Sequence, residues 1–228
     1  MAYILSLETT TEVCSVALSR GTELLHLEET AEPFQHGKMI SIYMERCLQA
    51  VGIDWKTLDA VAVSSGPGSY TGLRVGTSAA KAICYAHQIP LLEVDTLYAL
   101  ARAMQHQSSG SYTYYVPMID ARRMEVYLAV YDAQLSAHWP VKAMVIDAHT
   151  FQDMPSKGRL LLGGNGAPKL QEVLGGQAID WYDVSCSAKW LVEPAFEQWK
   201  QKNFQDVAYY RPQYVKPPNI TQSKKKPI

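Results

Sequence analysis

The chain has 228 residues, 47% hydrophobic and 19% charged, with a formal net charge of -1. That balance suits one large globular domain or two small ones and excludes a disordered chain. It also argues against a surface that grips RNA unaided, since neutralising phosphates supplies most of such affinity.

No apolar run approaches the ~20 residues of a membrane span. The opening Met1-Ala2-Tyr3-Ile4-Leu5-Ser6-Leu7 reads as a strand and not as a targeting signal. Cys14, Cys47, Cys84 and Cys186 stand far apart without a CxxC, so buried thiols in a reducing cytoplasm are expected.

In chain order, Tyr3 to Glu8, Val13 to Arg20 and Glu23 to Glu29 alternate as half-buried strands, with Arg20-Gly21 as a hairpin turn. Phe34 to Val51 switches to helical period, Ile40, Met44, Cys47 and Val51 falling on one face, and Gly52 ends it. Leu58 to Ser64 is a short strand, Thr71 to His87 a helix, Pro90 to Val94 a strand and Thr96 to Gln105 a helix. A three-strand meander followed by βα units predicts a ribonuclease-H-like, actin-type half; a dinucleotide-binding fold does not begin with two hairpins.

The pattern then restarts. Tyr114 to Asp120, Glu125 to Tyr131, Lys142 to Asp147 and Leu160 to Gly163 read as strands, Ala167 to Leu174 and Ser187 to Lys202 as helices. Leu7-Glu8 leading to Glu12-Val13-Cys14-Ser15 has its counterpart in Ile119-Asp120 leading to Met124-Glu125-Val126-Tyr127. The expected fold class is therefore α/β: two actin-type subdomains, each with a mixed sheet that starts from a β-β-β meander, related by internal duplication. The first spans 1–106 and the second 107–212, whose last helix, about 187–202, can pack back on the first. A basic tail, 213–228, with Lys224-Lys225-Lys226, is expected to be mobile.

The sharpest string is Ser64-Ser65-Gly66-Pro67-Gly68-Ser69-Tyr70-Thr71-Gly72-Leu73-Arg74. Gly72 is followed by Leu-Arg and not Lys-Ser/Thr, so it is no Walker A loop; Thr71 stands where a dinucleotide fingerprint needs glycine. Nor is it GxSxG, so no nucleophile elbow is written. A structural reading fits better: Gly66, Pro67, Gly68 and Gly72 form a tight strand-to-helix connection, Gly66 and Gly68 are free to take positive φ, and Ser69 or Thr71 caps the helix.

This loop, with Ile4-Leu5-Ser6-Leu7-Glu8-Thr9-Thr10, Ile119-Asp120-Ala121-Arg122-Arg123 and Tyr210-Arg211-Pro212, strongly resembles the bacterial TsaB (YeaZ) family of tRNA threonylcarbamoyladenosine biosynthesis, within the actin-like ATPase superfamily. The resemblance spans nearly the whole chain in order, except about Val130 to Gly158. It implies a non-catalytic subunit that binds and activates TsaD, with TsaE joining through the heterodimer, so that TsaD threonylcarbamoylates adenosine 37 of ANN-decoding tRNAs. It implies a homodimer when the subunit is alone, tRNA contact only through the complex, no membrane role, and no cofactor of its own; ATP or ADP and a metal belong to the partner subunits.

The departures from active relatives agree. Actin-type ATPases end their first strand in aspartate, whereas this chain has Glu8, and its six histidines include no His-x-x-x-His, since Ile40 stands four residues after His36. Glu8, Thr9, Thr10, Asp120, Gly163 and Gly164 are thus expected to line a vestigial nucleotide cleft, Glu8 and Asp120 facing each other across it. The first helix carries more apolar residues than one face can use. Met39, Ile42 and Tyr43, with Arg46, are expected to be exposed for a partner, joined from the second helix by Leu73, Arg74, Thr77 and Lys81. The rival functions are an independent actin-fold ATPase or small-molecule kinase using Glu8, Asp120 and Gly163-Gly164, and a self-associating scaffold without a tRNA role.

Overall fold

The computed structural model describes residues 1–30, 32, 35–151, 159–174 and 179–217. Phe34 and Lys224-Lys225-Lys226 lie outside the described residues.

Among the described residues, ten strands form two five-stranded sheets. In the first, β1 (Tyr3–Glu8), β2 (Cys14–Arg20), β3 (Glu23–Thr30), β4 (Ala60–Gly66) and β5 (Leu91–Asp95) run in the order β3-β2-β1-β4-β5. In the second, β6 (Tyr114–Asp120), β7 (Glu125–Asp132), β8 (Ala137–Val145), β9 (Leu160–Gly163) and β10 (Ile179–Tyr182) run in the order β10-β9-β6-β7-β8. Read from the other edge, the second order repeats the first. In each half the first two strands pair antiparallel and the fourth lies parallel beside the first, Leu7 opposite Val63 and Pro117 opposite Gly163. The fold is the two-subdomain actin-like α/β arrangement.

The strand alternation sorts side chains to opposite faces. Leu5, Leu7, Val16, Leu18, Val61 and Val63 face α1 (His36–Val51) and α2 (Tyr70–His87). Ile4, Ala60, Ala62, Leu92 and Val94 point the other way, onto Leu191 and Ala195 of the last helical stretch, a 3-10 turn at Ala188–Leu191 running into α5 (Val192–Lys200). Meanwhile α3 (Thr96–Gln107), which follows the first sheet in sequence, buries Leu97, Leu100 and Met104 against Tyr115, Ile119 and Leu161 of the second. The halves thus exchange their covering helices, α5 lying against β1 and β5 of the first sheet.

Element ends follow local chemistry. Gly52 closes α1 in the left-handed region at φ +73°. Ser69 caps α2, its Oγ accepting from the Gly72 N–H at 3.2 Å, and Asp95 caps α3 by accepting from the Tyr98 N–H at 2.8 Å. The helix expected over Ala167 to Leu174 is a 3-10 turn, Pro168–Leu170, followed by the single turn α4 (Gln171–Leu174). β8 begins five residues before its expected start, and β10 was not expected at all.

Candidate functional site

A cleft of about 820 Å³ opens where the two sheets' connecting loops meet. From the first half it is lined by Thr10, Thr11, Glu12 and the Pro67–Leu73 stretch, and from the second by Ile119–Arg122, Tyr127 and Asn165. Asn165 joins the halves: its Nδ2 donates to the Glu12 carboxylate at 2.8 Å, and its Oδ1 accepts from the Asp120 N–H at 3.0 Å.

Glu8 ends β1 as expected but is sealed from the cleft, 1% exposed. One carboxylate oxygen accepts from the Thr10 N–H at 2.7 Å and the Thr10 hydroxyl at 2.5 Å; the other accepts from the Ser64 hydroxyl. Burial pushes the Glu8 carboxyl above the ordinary range, partly offset by those donors. Asp120, its counterpart, is half-exposed on the cleft wall and pairs with Lys169 at 2.6 Å. The expectation that the two carboxylates face each other across the cleft is therefore corrected: only Asp120 reaches it.

Thr9 and the glycines do packing work. The Thr9 hydroxyl donates to the Gly72 carbonyl at 2.8 Å, within a buried contact. Thr10 alone of the expected Thr9-Thr10 pair lines the cleft. Gly163 and Gly164 are buried away from it. A Cβ on Gly163 would stand 2.9 Å from the Tyr182 carbonyl, and one on Gly164, at φ +98°, would collide with the Met118 carbonyl. These two glycines let β9 turn against neighbouring backbone.

Two glycines of the loop meet tight backbone, for different reasons. Gly66 does take positive φ, +109°, beside Pro67, but Gly68 does not. Gly68 is required by proximity instead, because a Cβ there would lie 2.5 Å from the Thr10 carbonyl.

On the expected partner face, Tyr43, Leu73 and Thr77 are buried within this chain, at 5%, 1% and 6% exposure. Met39 and Ile42 are half-buried, packed on the core under α1. The expectation that Met39, Ile42 and Tyr43 stand exposed is thus corrected: α1 rotates this side toward β2, β3 and α2, whose apolar surface takes them up. Lys81 is committed internally, donating to the carbonyls of Ala208 at 3.1 Å and Tyr210 at 3.2 Å. Arg46 and Arg74 remain exposed, Arg46 3.5 Å from Glu28 and the Arg74 guanidinium 5.5 Å over the Tyr70 ring. Between the helices, Met39, Ile42, Val75, Ala79 and Ile83 form a half-buried apolar seam.

Sequence reasoning missed Asn165 and the segment 213–217. The latter was expected to be mobile, yet it runs along the cleft. The Gln213 N–H donates to the Ser65 carbonyl at 2.7 Å, Tyr214 lies against Tyr70, and Lys216 pairs with Glu125. The four cysteines are free and buried, and burial pushes Cys14 up to about 11 and Cys47 and Cys84 up to about 12.

Residues 31–215 match the family model for TsaD: tRNA N6-adenosine threonylcarbamoyltransferase. Among curated relatives, the Haemophilus influenzae tRNA threonylcarbamoyladenosine biosynthesis protein TsaB is 37% identical over 128 residues, covering 55% of this chain and 52% of the relative. The Escherichia coli protein of the same description is 34% identical over 137 residues, covering 60% and 58%. The chain thus spans little more than half the length of the curated relatives it matches. A Pseudomonas aeruginosa structure, described as similar to peptidase YEAZ, superimposes with a TM-score of 0.85 at 23% identity, over 95% of this chain and 100% of that one, and shares its fold. The chain belongs to the family of TsaD, tRNA N6-adenosine threonylcarbamoyltransferase, and finds its match in sequence and fold among the TsaB (YeaZ) proteins.

Proposed function

We propose that this chain is the non-catalytic partner subunit that binds and activates TsaD, with TsaE joining through the heterodimer, for N6-threonylcarbamoylation of adenosine 37 in ANN-decoding tRNAs. In this reading it works in the cytoplasm, self-associates when alone, meets tRNA through the complex, and leaves nucleotide and metal to its partners. The observation that carries the reading is the apolar seam of Met39, Ile42, Val75, Ala79 and Ile83 between α1 and α2. Half-buried apolar groups on two neighbouring helices gain by completing their burial, roughly 1.5–3 kcal/mol for each large side chain fully covered. Two helices from a partner would cover them as a four-helix packing. The sealed position of Glu8 supports the same reading, since a carboxylate enclosed by Thr10 and Ser64 is in no position to hold a nucleotide-bound metal through water.

The test uses positions whose change leaves the fold alone. Arg74 and Ala82 are both exposed on α2. The double variant Arg74→Glu, Ala82→Arg should melt like the parent, fail to co-purify with TsaD from the same organism, and lower tRNA modification by the reconstituted complex. Capture of TsaD at the parent's level would move the interface elsewhere. Saturable nucleotide turnover by the isolated chain would instead favour the ATPase reading.

A further inference from the structure

The segment 213–217 touches both halves of the molecule. On the first half its anchors are a backbone hydrogen bond from the Gln213 N–H to the Ser65 carbonyl, 2.7 Å, and the Tyr214 ring at 4.9 Å from Tyr70. Gly66 leaves the space for it: a Cβ there would stand 2.9 Å from the Gln213 carbonyl. On the second half the anchor, among the described residues, is Lys216, whose ammonium pairs with the Glu125 carboxylate and lies 3.4 Å from the Ala121 carbonyl. All five residues line the cleft between these two sets of contacts.

We propose that residues 213–217 are a latch that holds the two subdomains together across the cleft, and that Lys216 is its release point. The two ends differ in kind. The first-half end is a backbone bond and a ring contact, both insensitive to ionic strength. The second-half end is an ion pair whose side chains are 27% and 36% exposed. Pairs of that exposure contribute little, and dissolved salt weakens them further. The latch therefore opens from the Lys216 end while Gln213 and Tyr214 stay seated, and the cleft gains an entrance along Ala121–Glu125.

A thiol reporter inside the cleft reads the opening. Thr11 lines the cleft, is 9% exposed and faces the Cys186 thiol, so the Thr11→Cys reporter is made together with Cys186→Ser to leave the new thiol no disulfide partner. The other three native thiols are buried. In the full-length Thr11→Cys, Cys186→Ser protein, maleimide labelling should be slow, and adding Lys216→Ala should speed it about fivefold, the factor expected for losing one partly exposed ion pair. High salt should speed the reporter protein alike and add little to the Lys216→Ala variant. Amide exchange at Ala121–Glu125 should rise with labelling, while α3 and β6 keep their protection. Unchanged labelling with unchanged exchange at Ala121–Glu125 overturns the latch. So does a variant in which protection falls throughout α3 and β6, because the segment would then be part of the folding core.

Discussion

Thr9 and Gly72 are fitted to one another with no room between them: the Thr9 hydroxyl donates to the Gly72 carbonyl at 2.8 Å, and the Thr9 carbonyl fills the place a Gly72 Cβ would take. One turn on, a Cβ at Gly76 would meet the Thr9 hydroxyl. The β1–β2 connection therefore rests on α2 through glycine, and Gly72→Ala should cost ~3 kcal/mol or more, since backbone must move to admit one methyl group. Gly37, in the first turn of α1, has nothing within 4 Å of its missing Cβ. Gly37→Ala should be neutral or stabilising by up to about 1 kcal/mol from helix propensity. Chemical denaturation of the two variants side by side checks the contrast.

Glu8→Gln should be nearly silent. The amide can accept from Thr10 through its oxygen and donate to Ser64 through its nitrogen, replacing every contact of a carboxyl that burial already pushes toward its neutral form. Modification by the reconstituted complex should stay within a few-fold of the parent. A loss of about 10² or more with normal folding and assembly is the size expected for removing a transition-state contact, and it would place Glu8 in the chemistry.

Ile42→Asp should act twice. Because Ile42 is packed on the core under α1, the charge lowers the melting temperature of the monomer by several degrees, as about 1–2 kcal/mol does in a domain of this size. It should also abolish self-association and TsaD capture. Arg74→Glu, on exposed α2 surface, should weaken capture without moving the melting temperature. Differential scanning at fixed dilute concentration, paired with co-purification, separates the two effects.

Asp95 makes stability depend on pH. Enclosed by protein at the start of α3, its carboxyl is pushed from the ordinary 3.8 up to about 6, mainly by burial, against hydrogen bonds from the backbone at Tyr98 and Leu97 and from the Tyr131 hydroxyl. A carboxyl whose folded pKa is raised stabilises the fold most below the unfolded pKa, and that share is lost as pH rises through the folded one. The window is therefore pH 3.8 to about 6. Asp95→Asn keeps a cap acceptor without the charge. It should flatten the profile across that window and gain at most about 3 kcal/mol at pH 7. Denaturant titrations from pH 4 to 7 decide it; a variant less stable than the parent at pH 7 would show that the ionised cap is needed.

The strands of the first sheet were legible because Leu5, Leu7, Val16, Leu18, Val61 and Val63 alternate with residues of the opposite face, and the repeat of Leu7-Glu8 in Ile119-Asp120 disclosed the duplication. The strand β10 was not legible: Ile179–Tyr182 is four residues long and half-buried, too short to express a period. The partner face misled because a helix wedged between a sheet and a second helix buries a wider arc than a single stripe, and Tyr43 falls inside it. Arg122 and Arg123 both take positive φ, 71° and 52°, in the β6–β7 hairpin, where composition gives no glycine or asparagine to announce the turn. The cleft contacts of Gln213 and Lys216 join positions 148 and 91 residues apart from Ser65 and Glu125, and no local pattern encodes such a meeting. Pro217 and the residues just before it read only as a polar, proline-containing tail.

The exchange of helices between the halves has a consequence for synthesis on the ribosome. Ile4, Ala60, Ala62, Leu92 and Val94 are translated well before their cover, Leu191 and Ala195. Until that stretch emerges, the first sheet presents a bare apolar face, the kind of surface that makes nascent chains aggregate or engage chaperones. Stalling at about residue 110 should therefore yield a sticky, protease-sensitive nascent chain, and release from that state should come only once α5 has cleared the exit tunnel. The first half is thus not a unit that the cell can make first and store.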